Sequence, residues 1–273
     1  MSDSLIALLR WYAEMGVDLA VGEEPLDHLA EAGPSTAPAH PPPSAPEPAA
    51  PRDPTPRAAA AAPSIETLAR DAARAAAAAQ TLDELRAELN RFEGCGLKKT
   101  ATQLVFADGR AGARVMFVGE APGADEDRQG LPFVGRAGQL LNRMLAAIGL
   151  AREDVYISNV VPWRPPGNRT PSSLETAACL PFTRRQIELV GPKVLICLGA
   201  PSAQTLLGIK EGITRARGRW LSYQNGDATI RAMAMLHPAY LLRAPAQKAL
   251  AWRDLRLLAR ELESQRAQEA EGE

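Results

Sequence analysis

Cysteine and histidine are both scarce, with three of each in 273 residues. Cys95, Cys179 and Cys197 are odd in number and far apart, which speaks against a disulfide framework and for a reducing compartment. No apolar run reaches the length of a membrane span, and the N-terminus lacks a basic region followed by an apolar core and a small-residue cleavage site. The sequence therefore predicts a soluble, cytoplasmic protein with no membrane partner. Surplus charge is missing too: the net charge is -1, so no global basic field announces a nucleic-acid partner and any such binding must come from a local patch. Neither a G-x-G-x-x-G fingerprint nor a G-x-x-x-x-G-K-[ST] loop occurs, which removes the usual support for dinucleotide and nucleoside-triphosphate enzymes.

Proline and alanine are plentiful and concentrated. Residues 33–63 are dominated by them, as in His40-Pro41-Pro42-Pro43-Ser44-Ala45-Pro46, and read as a disordered, semi-extended linker that cannot bury a core. Ahead of it, Leu5, Leu8, Leu9, Tyr12 and Met15 recur at helical spacing, so residues 1–20 hold a short amphipathic helix that either docks back on the chain or binds a protein partner. Behind it, Ser64 and Thr81 are N-cap candidates for two helices, and the folded domain is expected over 64–267.

From residue 115 onward strand, loop and helix alternate. Strands are expected at 115–118, 155–160, 194–198 and 235–237, with a hairpin at 218–223 and 229–233, an edge strand at 103–106 and a turn at Asp108-Gly109. This pattern predicts an α/β fold with a parallel sheet of about four central strands covered on both faces.

Ligands of open parallel sheets sit beyond the carboxyl ends of the strands. Three such ends deliver polar groups here: the acidic loop 120–127 after the first strand, Asn159 after the second and His237 after the last. Asn159 offers one acceptor and two donors on a single amide, suited to the paired edge of a pyrimidine dione. His237 can donate to an oxygen where negative charge grows, and Phe133, flanked by Gly130 and Gly135, offers a stacking face as well as a core side chain. Arg164 and Arg169 lie in a proline-stiffened loop and are shaped for phosphate. Leu241 and Leu242, followed by Arg243, have the composition of a wedge that enters a duplex, or of a helix start that packs inward. Arg215, Arg217 and Arg219 form a further cationic cluster in the sequence.

Taken in order, Gly119-Glu120-Ala121-Pro122-Gly123 with Glu126-Asp127, Gly130-x-Pro132-Phe133-Val134-Gly135, Asn159, Arg164-Pro165-Pro166-x-Asn168-Arg169 and His237-Pro238-Ala239-Tyr240-Leu241-Leu242-Arg243 resemble the family 4 uracil-DNA glycosylases over residues 92–258. The resemblance implies a three-layer α/β/α sandwich around a four-stranded parallel sheet. It also implies hydrolysis of the N-glycosidic bond of flipped-out deoxyuridine, which leaves an abasic site for base-excision repair. On that pattern Phe133 stacks on the base, Asn159 reads its polar edge, and Ala121 and Gly123 complete the uracil contacts. His237 steadies the uracil anion, and Glu120 or Glu126 places or activates water. Arg164, Asn168, Arg169, Leu241, Leu242 and Arg243 face the DNA. A monomer acting on uracil-containing DNA in the cytoplasm, at the nucleoid, is the corresponding expectation.

One departure matters. The family pattern carries a four-iron four-sulfur cluster on four cysteines, whose places are taken here by Phe92, Cys95, Trp163 and Cys179. Two thiolates cannot hold such a cluster in the usual way, so the sequence predicts no cofactor and no metal, with Cys95 and Cys179 as buried remnants. No histidine lies between His40 and His237, which argues against the branch of relatives that bonds covalently to the abasic sugar. Two rival readings are a DNA-binding protein that keeps the fold without the chemistry, and a glycosylase for other deaminated bases.

Overall fold

The computed structural model describes residues 64–226 and 228–272. The helix expected in 1–20 and the linker at 33–63 lie outside the described residues. Both expected N-caps form. The Ser64 hydroxyl accepts from the Thr67 N–H at 3.2 Å and opens α1 (Ile65–Ala78), and the Thr81 hydroxyl accepts from the Glu84 N–H at 3.2 Å and opens α2 (Leu82–Arg91).

The sheet has six strands in the order β1-β3-β2-β4-β6-β5: β1 (Asp108–Gly109), β2 (Val115–Gly119), β3 (Tyr156–Asn159), β4 (Val194–Leu198), β5 (Trp220–Asn225) and β6 (Ala228–Met235). Strands β3, β2, β4 and β6 run parallel, and β1 and β5 are antiparallel edges. The four-stranded parallel sheet of the sequence reading is thus the centre of a larger mixed one. Every residue of β2, β3 and β4 is buried, as expected of strands covered on both faces.

Two expected elements change. Residues 103–106 form no strand; the Val105 N–H instead donates to the Pro162 carbonyl at 2.9 Å. Edge pairing passes to Asp108-Gly109, which was expected as a turn, because Gly109 at φ 94 lets the chain lie directly against the Val155 carbonyl. The expected strand at 229–233 runs on through Met235 as one strand, β6, and Leu236 and His237 of the expected 235–237 strand lie beyond its end. Strand β6 pairs with β5 on one side and with β4 on the other.

Alternation on β2 sends side chains into two cores. Met116 and Val118 pack in the same core as Leu85 and Leu89 of α2, and Phe182 and Ile187 of the helix Ser173–Val190. Val115 and Phe117 pack with Leu141 and Leu145 of the helix Arg136–Ala146, and Leu255 and Leu258 of the helix Lys248–Gly272. The remaining short helices are Ala124–Gln129, Ala200–Leu207, Ile213–Ala216 and Pro238–Arg243. In chain order the helices after α2 are α3 (Ala124–Gln129), α4 (Arg136–Ala146), α5 (Ser173–Val190), α6 (Ala200–Leu207), α7 (Ile213–Ala216), α8 (Pro238–Arg243) and α9 (Lys248–Gly272).

The expected cationic cluster dissolves in the fold. Arg217 donates to the fully buried Asp254 of α9 at 2.8 Å and to the Leu250 carbonyl at 2.6 Å, and Arg219 pairs with Glu211. Arg217 thereby fastens the segment before β5 to the terminal helix.

Candidate active site at the strand ends

A cavity of about 650 Å³ opens where the central strands end, and its walls include Glu120, Phe133, Asn159, Gly199 and His237. Its floor depends on Gly119, the last residue of β2. A Cβ there would lie 2.4 Å from Asn159 Oδ1 and 2.7 Å from the Phe133 ring, so a methyl group would displace the two side chains expected to meet a base. Beyond the sheet the chains stay zipped: the Val160 and Val161 N–H groups donate to the Gly119 and Glu120 carbonyls, each at 2.9 Å. This fixes Glu120 and Asn159 relative to one another.

Asn159 is 3% exposed, and its Oδ1 has no hydrogen-bond partner. Such an unmet buried acceptor carries a cost of about 1–3 kcal/mol until a donor reaches it. His237 caps α8, its Nδ1 accepting from the Ala239 N–H at 3.1 Å. That contact puts the ring proton of the neutral imidazole on Nε2. Burial, aided by the nearby Arg243 charge, pushes the His237 pKa down to about 4, so the ring is neutral at physiological pH. The Phe133 ring lies 5.5 Å from the His237 ring, centre to centre, tilted by 32°. Phe133 is both a core residue, 5% exposed, and a wall of the cavity, and its backbone sits at φ 53, in the left-handed region.

The two candidate glutamates differ sharply. Glu126 is occupied: Oε2 accepts from the Gly123 N–H at 3.1 Å, and Oε1 accepts from the Val134 and Gly135 N–H groups at 3.0 and 2.9 Å. Glu120 Oε1 is buried without a partner, and burial pushes the carboxyl pKa above the usual carboxylate range, the Thr170 hydroxyl partly offsetting this. Asp127 is buried and accepts from the Thr102 N–H and hydroxyl at 2.8 and 2.9 Å, tying the 102–103 segment to α3. Of the four acids in this loop, Glu126 and Asp127 hold it in shape, Asp125 pairs with Arg128, and Glu120 keeps an unmet oxygen at the cavity wall.

The residues expected to meet DNA are distributed unevenly. Arg169 makes a two-pronged pair with Glu175 at 2.7 and 2.8 Å, and the guanidinium holds the Glu175 carboxyl down to about 2. Arg164 donates to Asn168 Oδ1 at 2.8 Å and stands 3.9 Å from Asp127. Arg243 is exposed at the cavity rim and Leu242 is half-buried beside it. Leu241 takes the inward-packing alternative: it is 1% exposed and belongs to the core, which leaves Leu242 alone of the pair near the surface. The first turn of α8 directs it inward, because a residue four positions after the His237 cap faces the sheet.

The end of β4 was missed as a wall. Gly199 at φ 88, followed by Ala200 and Pro201, lines the cavity at the end of the strand next to β2. The signal was in the sequence: an apolar strand running into Gly199-Ala200-Pro201 repeats the plan of Gly119-Glu120-Ala121-Pro122.

The corner where the family pattern would place a cluster is filled by side chains. Trp163 is 2% exposed, and Phe92 packs on Phe182 with ring centres 5.1 Å apart. Cys95 and Cys179 are buried free thiols of the same core. Contact with Cys179 draws the Cys95 pKa down, and burial pushes that of Cys179 up. Two thiols and two apolar rings do not fit a four-cysteine cluster, and among the described residues no three His, Cys, Asp or Glu side chains gather to hold a metal ion.

A family model described as the uracil DNA glycosylase superfamily matches residues 106–256, and the chain belongs to that superfamily. It is 42% identical over 170 residues to a type-4 uracil-DNA glycosylase of Archaeoglobus fulgidus, covering 61% of this chain and 85% of that protein. It is 44% identical over 156 residues to the type-4 uracil-DNA glycosylase of Thermotoga maritima, covering 57% and 80%. A type-5 uracil-DNA glycosylase of Pyrobaculum aerophilum is 33% identical over 152 residues, with 49% and 64% covered. Within the superfamily, the chain falls with the type-4 members.

Proposed function

We propose that the chain is a uracil-DNA glycosylase, a hydrolase that releases uracil from DNA and leaves an abasic site for repair. The observation that carries this reading is the pairing, in one cavity, of an unmet acceptor on Asn159 with a neutral His237 whose Nε2–H is free to donate. Uracil presents N3–H to that acceptor and O4 to the Asn159 amide donor; cytosine presents a lone pair at N3, which Oδ1 repels. The base reaches the cavity only by leaving the duplex stack, and it lies against Phe133.

The reaction then needs little more than placement. Water bonds to the sugar C1′ as its proton passes to Glu120, and the C1′–N1 bond breaks with its electron pair leaving on uracil. The Nε2–H of His237 donates to the uracil oxygen where that charge gathers, and neutrality of the ring keeps it a donor without trapping the product as an ion pair. Glu120 handles the water because its Oε1 has no partner, whereas Glu126 spends both oxygens on backbone N–H groups. Ala121 and Gly123 bring backbone to the base edge. Arg243 and Leu242 meet the DNA at the rim, and Arg164, Asn168 and Arg169 order the opposite lip.

The enzyme works as a monomer without an iron–sulfur cluster, in the cytoplasm at the nucleoid. Incubating the purified protein with a uracil-containing oligonucleotide and cleaving with alkali tests the activity. Strand scission at uracil is expected; its absence, or scission only with hypoxanthine or xanthine in place of uracil, would overturn the assignment.

A further inference from the structure

The turn that carries Phe133 is gripped from two sides by groups of opposite charge. Glu126 takes the N–H groups of Val134 and Gly135 on one side. On the other, Arg152, at the start of the short 3-10 turn Arg152–Asp154, takes the carbonyls. Its Nη1 donates to the Phe133 oxygen at 3.0 Å and its Nη2 to the Pro132 oxygen at 2.5 Å. The same guanidinium is itself held by Asn142 Oδ1 of α4 at 2.9 Å and by Asp108 Oδ2 of β1 at 2.6 Å. A planar fork with donors on all three nitrogens can satisfy this set, and a lysine ammonium cannot.

The grip has something to hold. Phe133 is one of two non-glycine residues at positive φ among the described residues, and left-handed backbone at a bulky residue persists only where its surroundings over-determine it. The Phe133 carbonyl is also pressed against Gly138, where a Cβ would lie 1.7 Å from its oxygen. Released from Arg152, that carbonyl can turn away, and the ring it steers leaves its place beside Asn159 and His237.

We infer that Arg152, anchored by Asp108, is a positioning residue for uracil excision that acts through the backbone of Phe133, a role that rests on the glycosylase reading above. Arg152 does not line the cavity; it acts by setting the plane on which the base stacks. Edge strand β1 then has a purpose at the site, because it carries the carboxylate that aims the guanidinium.

A double-mutant cycle tests this. Arg152→Ala and Arg152→Lys are each expected to slow single-turnover excision by about 10- to 100-fold through lost placement, with little change in the KM for DNA. Each is also expected to weaken binding of free uracil, measured by calorimetry, by roughly tenfold through lost stacking. In a Phe133→Leu background the same substitutions should change both readouts by less than about threefold. Equal losses in both backgrounds, or slowed excision with unchanged binding of free uracil, would overturn the inference. Arg152→Lys keeps the ion pair with Asp108, so the cycle can be completed with it if Arg152→Ala does not fold. Uracil binding needs no catalysis: a wild-type protein that binds uracil without excising it overturns the glycosylase reading alone. Uncoupled Arg152 and Phe133 in an active enzyme overturn this inference alone.

Discussion

The base cavity and the corner around Cys95 and Cys179 are both interior to one domain, and a residual void of about 10 Å³ touches Asn159 on one side and Cys179 on the other. The cavity keeps buried polar atoms without partners, Asn159 Oδ1 and Glu120 Oε1. The cysteine corner is built of two thiols and aromatic rings, side chains with few polar atoms to leave unmet, and Phe92 packs on Phe182 ring on ring. Folding drives out unmet polar groups wherever it can. At the strand ends the unmet atoms line a cavity open to a polar ligand, whereas the cysteine corner offers a packed apolar interior.

The comparison breaks most visibly through Trp163. Trp163→Ala should cost about 3–5 kcal/mol of stability by opening the core, while excision by the folded fraction stays within several-fold of wild type. Denaturant titration and single-turnover assays at low temperature read the two effects separately. A large rate loss in folded protein would make the corner part of the site.

Substitutions in the cavity should do the reverse. Asn159→Ala and His237→Ala are expected to lower excision by about a hundredfold or more, since each removes a hydrogen-bonding group from the developing anion, with unchanged circular dichroism. Wild-type rates in either variant would remove the residue from the mechanism.

Glu120→Gln should slow excision by about 10- to 100-fold. It should also alter the pH profile in a defined sense. The carboxyl pKa is raised above 4.5, so in the wild type the active carboxylate is lost, and the rate falls, as pH drops through that raised value. The variant should lose this limb. His237 contributes no limb above about pH 5, because its pKa lies near 4 and the ring is already neutral there. An acid limb that persists in Glu120→Gln would assign the water to another group, Glu126 first.

The smallest expected signal is a null one. Protein purified without air should be colourless and carry far less than one iron per chain; stoichiometric iron with visible charge-transfer absorption would show that the corner opens to admit a cluster.

Much of this was legible in one dimension. Strands β2 and β4 are uninterrupted apolar runs that end at glycine, and a run buried on both faces has no other way to look. Gly119, Asn159 and His237 could be placed at strand ends because a parallel sheet sends every such end to the same edge. Other features were not legible because their causes lie far apart in the chain. Locally Glu126 differs from Glu120 only in reaching the Gly123 N–H three residues back; its second oxygen is taken only when the 133–135 turn folds back and offers its N–H groups. Leu241 and Leu242 look equivalent until the helical start at Pro238 turns one to the core and the other to the rim. Arg152 sits in an unremarkable Arg-Glu-Asp stretch, and its partners at 108, 132, 133 and 142 come from three different segments.

The sequence by itself determined the alternating α/β order, the strand-end placement of the polar residues and the presence of only two cysteines among positions 92, 95, 163 and 179, because apolar period, glycine position and residue identity are properties of the chain. Only the tertiary structure decided which carboxylate is free, that His237 is neutral with its proton on Nε2, and that Phe133 is held from behind by Arg152. Those depend on which groups are desolvated together and which donors find acceptors, and burial and hydrogen-bond pairing exist only once distant segments meet.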